Sequence, residues 1–231
     1  ENAIVQSLFD LGLEIDTVDI YSLDTGQADI EMTLSSCSGN GEGEKVIAPL
    51  LSNILNEVIV LKDEEHAHYP GGLCTLTFGS AQAYVIETGY ANAAKDGAFV
   101  SGDSYSMIEL SSGKYAMAIS DGMGNGERAH FESSDTLQLL AKILQSGIDE
   151  TVAIKSVNSV LSLRSKDDVF STLDLAVIDL QDATAKFLKI ASSPCFIKRG
   201  DHVMMVEASN LPIGILQEFD VEVVNMQLKA G

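Results

Sequence analysis

Basic side chains are scarce in this chain of 231 residues: 14 lysines and arginines stand against 34 aspartates and glutamates, a formal charge of −20. The imbalance is uneven. Residues 1–70 carry 14 acids and 2 bases, net −12, and residues 71–231 carry 20 and 12, net −8. A surface of this sign repels phosphate backbones and anionic headgroups, which argues against nucleic acid and membrane contact. A site for a phosphate dianion on such a chain must bring its own cations. Cysteine is rare as well. Cys37, Cys74 and Cys195 are odd in number, far apart and without C-x-x-C spacing, so the sequence implies neither a disulfide framework nor a zinc site, and a reducing compartment fits. His66 and His68, flanking Ala67 in a polar stretch, read as a solvated turn, with a metal pair as the alternative. No apolar run approaches 18 residues and no signal peptide is present. No Ser–His–Asp arrangement offers a side-chain nucleophile. A start at Glu1 and an abrupt end at Lys229-Ala230-Gly231 read as a piece of a longer chain.

What the chain does have is a strand that ends on a carboxylate and runs into glycines. Tyr115 to Ser120 are apolar or small without a break, Asp121 follows, and Gly122, Gly124 and Gly126 occupy every second position after it. Upstream, Gly102-Asp103 leads into a strand ending at Leu110, and Ser111-Ser112-Gly113 reads as a tight hairpin turn. A hairpin of this length sets Asp103 beside Asp121. Two carboxylates held together repel unless a cation lies between them, and hard divalent cations prefer oxygen. A metal site is one reading. Another is the dinucleotide fingerprint G-x-G-x-x-A at Gly124-Asn125-Gly126-Glu127-Arg128-Ala129. That reading needs a parallel strand and an acid about 20 residues on. The plainest reading is a turn, with Asp121 capping the helix that follows.

Asp121-Gly122-Met123-Gly124-Asn125-Gly126-Glu127-Arg128-Ala129, with Gly102-Asp103, resembles the metal-binding hairpin of the metal-dependent serine/threonine phosphatases, the PPM family or protein phosphatase type 2C. Ser171-Thr172-Leu173-Asp174-Leu175, Ser193-Pro194-Cys195-Phe196-Ile197-Lys198-Arg199-Gly200 and Leu211-Pro212-Ile213-Gly214-Ile215 agree with its bacterial branch that acts on regulators of sigma factors. The resemblance implies an αββα sandwich, two manganese or magnesium ions, and hydrolysis of phosphoserine or phosphothreonine by a metal-activated water without a catalytic side chain. It implies Asp121 as the bridging ligand, with Asp103 and the Gly122 carbonyl beside it. Arg128, at the mouth of the turn, is a candidate contact for the substrate phosphate, or a solvated arginine of the first helical turn. Asp174 is either a further ligand or a carboxylate hydrogen-bonded at the sheet. The implied substrate is a phosphorylated anti-anti-sigma factor in the cytoplasm of a spore-forming bacterium. A cell-division protein as partner and a membrane anchor in the parent protein are also implied, and a homo-oligomer stays open. The family draws further aspartates from later D-G and D-D motifs. After Gly214 the only acids are Glu218, Asp220 and Glu222, in neither motif. The 231 residues alone are therefore expected to be inactive, and the alternative function is a PPM-like regulatory or binding scaffold.

In order along the chain, residues 1–80 read as a small α+β regulatory subdomain and residues 81–231 as the PPM-type domain, incomplete at its C-terminus. The first part reads αββαββ: a helix over 1–13 capped at Gly12, a hairpin over 18–34 turned at Asp24-Thr25-Gly26-Gln27, a helix through Val46, Leu50, Leu51, Ile54 and Leu55, and strands near 57–62 and 73–79. The second part opens with a long strand from Ala83 to Ala93. After the glycine turn, Phe131, Leu137, Leu140, Ile143 and Leu144 mark one helix, and Val152, Ile154, Val157 and Val160 mark another. Strands at 171–180, 184–190, 195–199, 202–206 and near 219–225 follow. Met117, Met204 and Met205 read as core filler.

Overall fold

The computed structural model describes all residues except 1, 36–39, 67–71, 95–98, 111–112, 125, 165–169, 208–210, 216–219 and 231. Cys37, His68, Ser111, Ser112, Asn125 and Glu218 lie outside the described residues. The chain divides into two compact units, one of residues 1–83 together with 111–113 and one of residues 84–110 and 114–231.

The first unit is α1 (Asn2–Asp10), β1 (Ile15–Ser22), β2 (Asp29–Leu34), a single π turn (Gly43–Ile47) running into α2 (Ala48–Leu55), β3 (Ile59–His66) and β4 (Cys74–Ser80). Its sheet is antiparallel throughout, in the order β1-β2-β4-β3. Alternation decides which face is buried: Ile30, Met32 and Leu34 of β2 and Cys74, Leu76 and Phe78 of β4 point to one side, where Ile4, Leu8, Ile47 and Leu51 close the core. Two readings change. The helical face runs through Ile47, which is buried, while Val46 is exposed, because the π turn shifts the facing of the residues before α2. Strand β3 continues to His66, so His66 belongs to a ladder and not to a turn.

The second unit contains β5 (Asp103–Leu110), β6 (Lys114–Asp121), α3 (Gly126–Gln145), α4 (Glu150–Arg164), β7 (Leu173–Asp179), β8 (Thr184–Ile190), β9 (Cys195–Arg199), β10 (His202–Val206) and β11 (Glu222–Gln227). Five of these strands form an antiparallel sheet in the order β11-β8-β7-β6-β5. One face packs Ala116, Ala118, Leu175 and Leu188 under Leu137, Leu140 and Leu144 of α3 and Ile154, Val157 and Leu161 of α4. The other face packs Ile178, Ala185 and Phe187 against Val206, Cys195 and Ile197 of the β9–β10 ribbon. These are helical layer, sheet and second sheet, in the sequence of an αββα sandwich.

The strand expected over 83–93 is absent. Tyr84 N–H donates to the Leu180 carbonyl (2.9 Å) and the Tyr90 ring stacks on Tyr105, but no ladder forms and Val85 is exposed. A continuous apolar run becomes a strand only when a neighbouring edge accepts its backbone groups, and here it lies as irregular chain. Phe131 and Val152 are exposed, while Ser133, Thr136 and Ala153 occupy buried positions on those helices. Met204 and Met205 are exposed as well, contrary to their reading as filler.

Candidate metal centre

The hairpin of β5 and β6 pairs in unbroken register from Leu110↔Lys114 to Asp103↔Asp121, so the two carboxylates are direct cross-strand partners. Directly opposed side chains have Cβ atoms about 4.5–5.5 Å apart, inside the range where like charges perturb each other. Asp121 is pushed above the usual carboxylate range, first by desolvation at the sheet end, then by the charge of Asp103 and a hydrogen bond with it. The Ser101 hydroxyl holds Asp103 from below, donating to Oδ2 (3.3 Å) and accepting from the Asp103 N–H (3.3 Å).

Two glycines make room for oxygen here. A side chain on Gly102 would begin 3.8 Å from both Asp121 Oδ1 and the Gly122 carbonyl oxygen, so these oxygens flank the same bare backbone. A Cβ on Gly122 would fall 2.0 Å from the Ala129 carbonyl, which only glycine permits. Gly122 thus seats the first turn of α3 against the end of β6. Gly124 (φ 99°) and Gly126 (φ 72°) take the left-handed turns between strand and helix.

The stretches noted in the sequence meet at this point. Gly122 bridges to Ser171, and Ser171 bridges to Ile213. Asp121 N–H donates to the Thr172 hydroxyl (3.0 Å), and Asp121 accepts from Thr172 N–H (3.0 Å). Gly214 N–H donates to the buried Asn158 side chain (2.8 Å). Beneath them runs a seam of buried hydroxyls that sequence reading missed. Ser133 donates to the Gly102 carbonyl (2.7 Å), Ser104 lies 2.7 Å from Ser133, and Thr136 lies 3.1 Å from Ser171. The available signal was a serine and a threonine three apart on the inward stripe of a helix.

Other candidates stand apart. The Arg128 side chain is 69% exposed and pairs with Glu132 (3.1 Å), its neighbour one helical turn on. Asp174 is ion-paired to Lys189, which is 2% exposed and also donates to the Ser193 carbonyl (2.9 Å), in keeping with a carboxylate engaged at the sheet. Burial pushes the Cys195 thiol up, away from nucleophilic character. Asp103, Asp174 and Tyr105 share the wall of a cavity of about 520 Å³ on the sheet face away from the helices. The dinucleotide reading fails because β6 is antiparallel to both its neighbours, β5 and β7.

Residues 1–80 match the SpoIIE regulatory domain, and residues 111–231 match Stage II sporulation protein E (SpoIIE), just over half of the chain. The chain belongs to the stage II sporulation protein E family. It is 64% identical over 230 residues to Stage II sporulation protein E of Priestia megaterium and 62% identical over 231 residues to that of Bacillus subtilis strain 168. It spans 39% and 28% of those proteins' lengths. Among solved structures it is similar to the PP2C phosphatase domain and regulatory-domain fragment of the cell fate determinant SpoIIE from Bacillus subtilis. That match has 60% identity and TM-score 0.70, covering 99% of this chain and 67% of that one. The RsbU and RsbW domains of a Mycobacterium tuberculosis protein (16% identity, TM-score 0.51, 59% of this chain and 38% of that one) share the fold. The fold class of the SpoIIE family chain is therefore α+β, of the PPM sandwich type.

Proposed function

We propose that this chain contributes the metal-binding hairpin of a serine/threonine protein phosphatase that removes phosphate from a phosphorylated anti-anti-sigma factor and so activates a sporulation sigma factor. The observation that carries the reading is the direct opposition of Asp103 and Asp121 beside the Gly122 carbonyl, in a chain of this family. The donor set fits hard cations: two carboxylates, a backbone oxygen and room for water. Two manganese or magnesium ions, when bound, supply charge and Lewis-acid activation of the water that attacks phosphorus. Asp121 is assigned as the bridging ligand and Asp103 as its partner. The hydroxyl seam and Thr172 hold both strands in place, and Arg128, once released from Glu132, contacts the substrate phosphate. Residues 1–80 act as the regulatory part, and a cell-division protein is the proposed partner of a membrane-anchored, cytoplasm-facing parent. A homo-oligomer is compatible with this arrangement.

The test is metal-dependent turnover of p-nitrophenyl phosphate and of a phosphoserine protein by the full-length protein. Turnover that appears with manganese and falls with Asp121→Asn supports the assignment. Absence of turnover at every metal concentration would favour the second reading, a PPM-like scaffold without catalysis. That reading is favoured by one observation: among the described residues Asp174 is engaged by Lys189, which leaves two carboxylates at the hairpin. So few ligands hold magnesium or manganese weakly, and the 231 residues alone are expected to be inactive in millimolar metal.

A further inference from the structure

In the first unit, the end of the β3–β4 hairpin gathers three chemically different ligands. His66 and Cys74 are direct register partners, and Glu64 lies two residues before His66 on the same face. His66 Nε2 is 3.3 Å from Glu64 Oε1, and Cys74 Sγ is 4.0 Å from that same oxygen. All three ligand atoms fall within 4.8 Å of one another. Cys74 is fully buried, the Glu64 side chain is 25% exposed and that of His66 50% exposed, so the cluster runs from core to solvent.

A local irregularity produces this arrangement. In β3, Ile59 and Leu61 pack toward the core. Simple alternation would then turn Asp63 and Glu65 inward and Glu64 and His66 outward. The register instead slips between Leu61 and Asp63: Leu61 pairs with Phe78, Asp63 with Thr77, and Glu64 with Leu76. The extra residue, Lys62, inverts the remainder of the strand. Glu64 and His66 thereby face the same side as Leu76 and Cys74. A bulge that turns a carboxylate and an imidazole toward a buried thiol acts against hydrophobic patterning, and bulges of this kind re-aim side chains at sites.

We propose that Glu64, His66 and Cys74 form a binding site for a borderline-soft divalent ion of the zinc type, separate from the hard-cation centre at Asp103 and Asp121. Zinc bonds of about 2.0–2.3 Å in tetrahedral geometry place donor atoms roughly 3.2–3.8 Å apart. The His66–Glu64 spacing already meets this; Cys74 Sγ, 4.0 Å from Glu64 Oε1 and within 4.8 Å of the other two ligand atoms, must close toward both. Thiolate and carboxylate together neutralise the ion, and imidazole is neutral. Binding transfers the Cys74 proton to solvent as the sulfur–metal bond forms. The exposed side of His66 leaves the fourth position to water. Magnesium and manganese are selected against by the thiolate.

Cobalt(II), which takes zinc sites and reports sulfur ligation by a near-ultraviolet charge-transfer band, is the probe for the 231-residue chain stripped of metal. One equivalent should produce that band together with visible bands of tetrahedral cobalt, and zinc should then abolish them. Cys74→Ser should remove the charge-transfer band. His66→Gln, at an exposed position that leaves the core intact, should weaken zinc binding at least tenfold and abolish the rise in Tm that zinc gives the unaltered chain. Asp121→Asn should change neither. Absence of the band, its survival in Cys74→Ser, or its loss in Asp121→Asn would each overturn the site.

Discussion

The two units solve the same packing problem and end it differently. Each lays helices over one face of an antiparallel sheet and fills that face by alternation. At the end of the first sheet, a register slip in an outer strand collects a thiol, an imidazole and a carboxylate. At the end of the second, an unbroken register in the hairpin of edge strand β5 and its neighbour β6 collects two carboxylates and a carbonyl. The difference teaches that the architecture is indifferent to chemistry. What the strand ends carry, and whether the ladder runs true to its last pair, sets which ion the protein would hold.

The sharpest way to break this comparison is one glycine in each sheet. Gly122→Ala drives a methyl group into the backbone carbonyl of Ala129 and should destabilise the second unit by about 3 kcal/mol or more, read from urea unfolding. Gly79→Ala meets only the flexible end of Lys62 and should cost less than about 1 kcal/mol. Equal costs would mean that the Gly122 seat is not rigid. The next effect is catalytic. Asp121→Asn in the full-length protein should lower phosphatase turnover about a hundredfold while the fold persists. Activity near that of the unaltered protein would remove Asp121 from the bridging role.

A smaller contrast separates two carboxylate contacts. Asp174→Asn strands the buried Lys189 ammonium, and because Asp174 itself is partly exposed the loss should be about 2 kcal/mol. In the metal-free chain, Glu64→Gln alters the Glu64–His66 contact at the solvent edge and the weak contact with the Cys74 thiol, and should cost under about 1 kcal/mol. The smallest effect depends on pH. Asp121 has a raised folded-state value, so the stability linked to its protonation is present below the ordinary aspartate value and is lost as pH rises through the folded one. At neutral pH in the absence of metal, Asp121→Asn should therefore raise Tm by about 1–2 °C, a gain kept small by solvent screening. The gain should vanish near pH 3, and a gain that grew on acidification would contradict the repulsion between Asp103 and Asp121.

The Asp103–Asp121 opposition was legible because a three-residue turn read between two strands leaves one register, and register names the pairs. The succession of β1 to β11 along the chain was legible for the same reason, turn residues and apolar periods agreeing, while the order of strands within each sheet was not. The stretch 83–93 was not, since an apolar run states only that it wants cover, and whether an edge is free to pair is settled far away in sequence. Phe131 and Val152 misled because hydrophobicity was read as burial, while Ser133 and Thr136 filled the inward stripe with hydroxyls bonded to Gly102, Glu132 and Ser171. The Lys62 slip and the π turn before Pro49 each insert one residue into a regular count. No periodicity announces them, yet each decides which neighbours face inward.

Strand β6 is laddered on both sides, to β5 over its whole length and to β7 from Lys114 to Ile119. A slide by one residue would turn Asp121 to the opposite face, and a slide by two would carry it about 7 Å along the strand. Either would tear two rows of hydrogen bonds at once. The carboxylate is thus indexed, like a tooth in a ratchet, and admits no fine adjustment along the strand. Any tuning of the centre must come from the piece that is not laddered: the glycine turn after Gly122 and the helix it leads into.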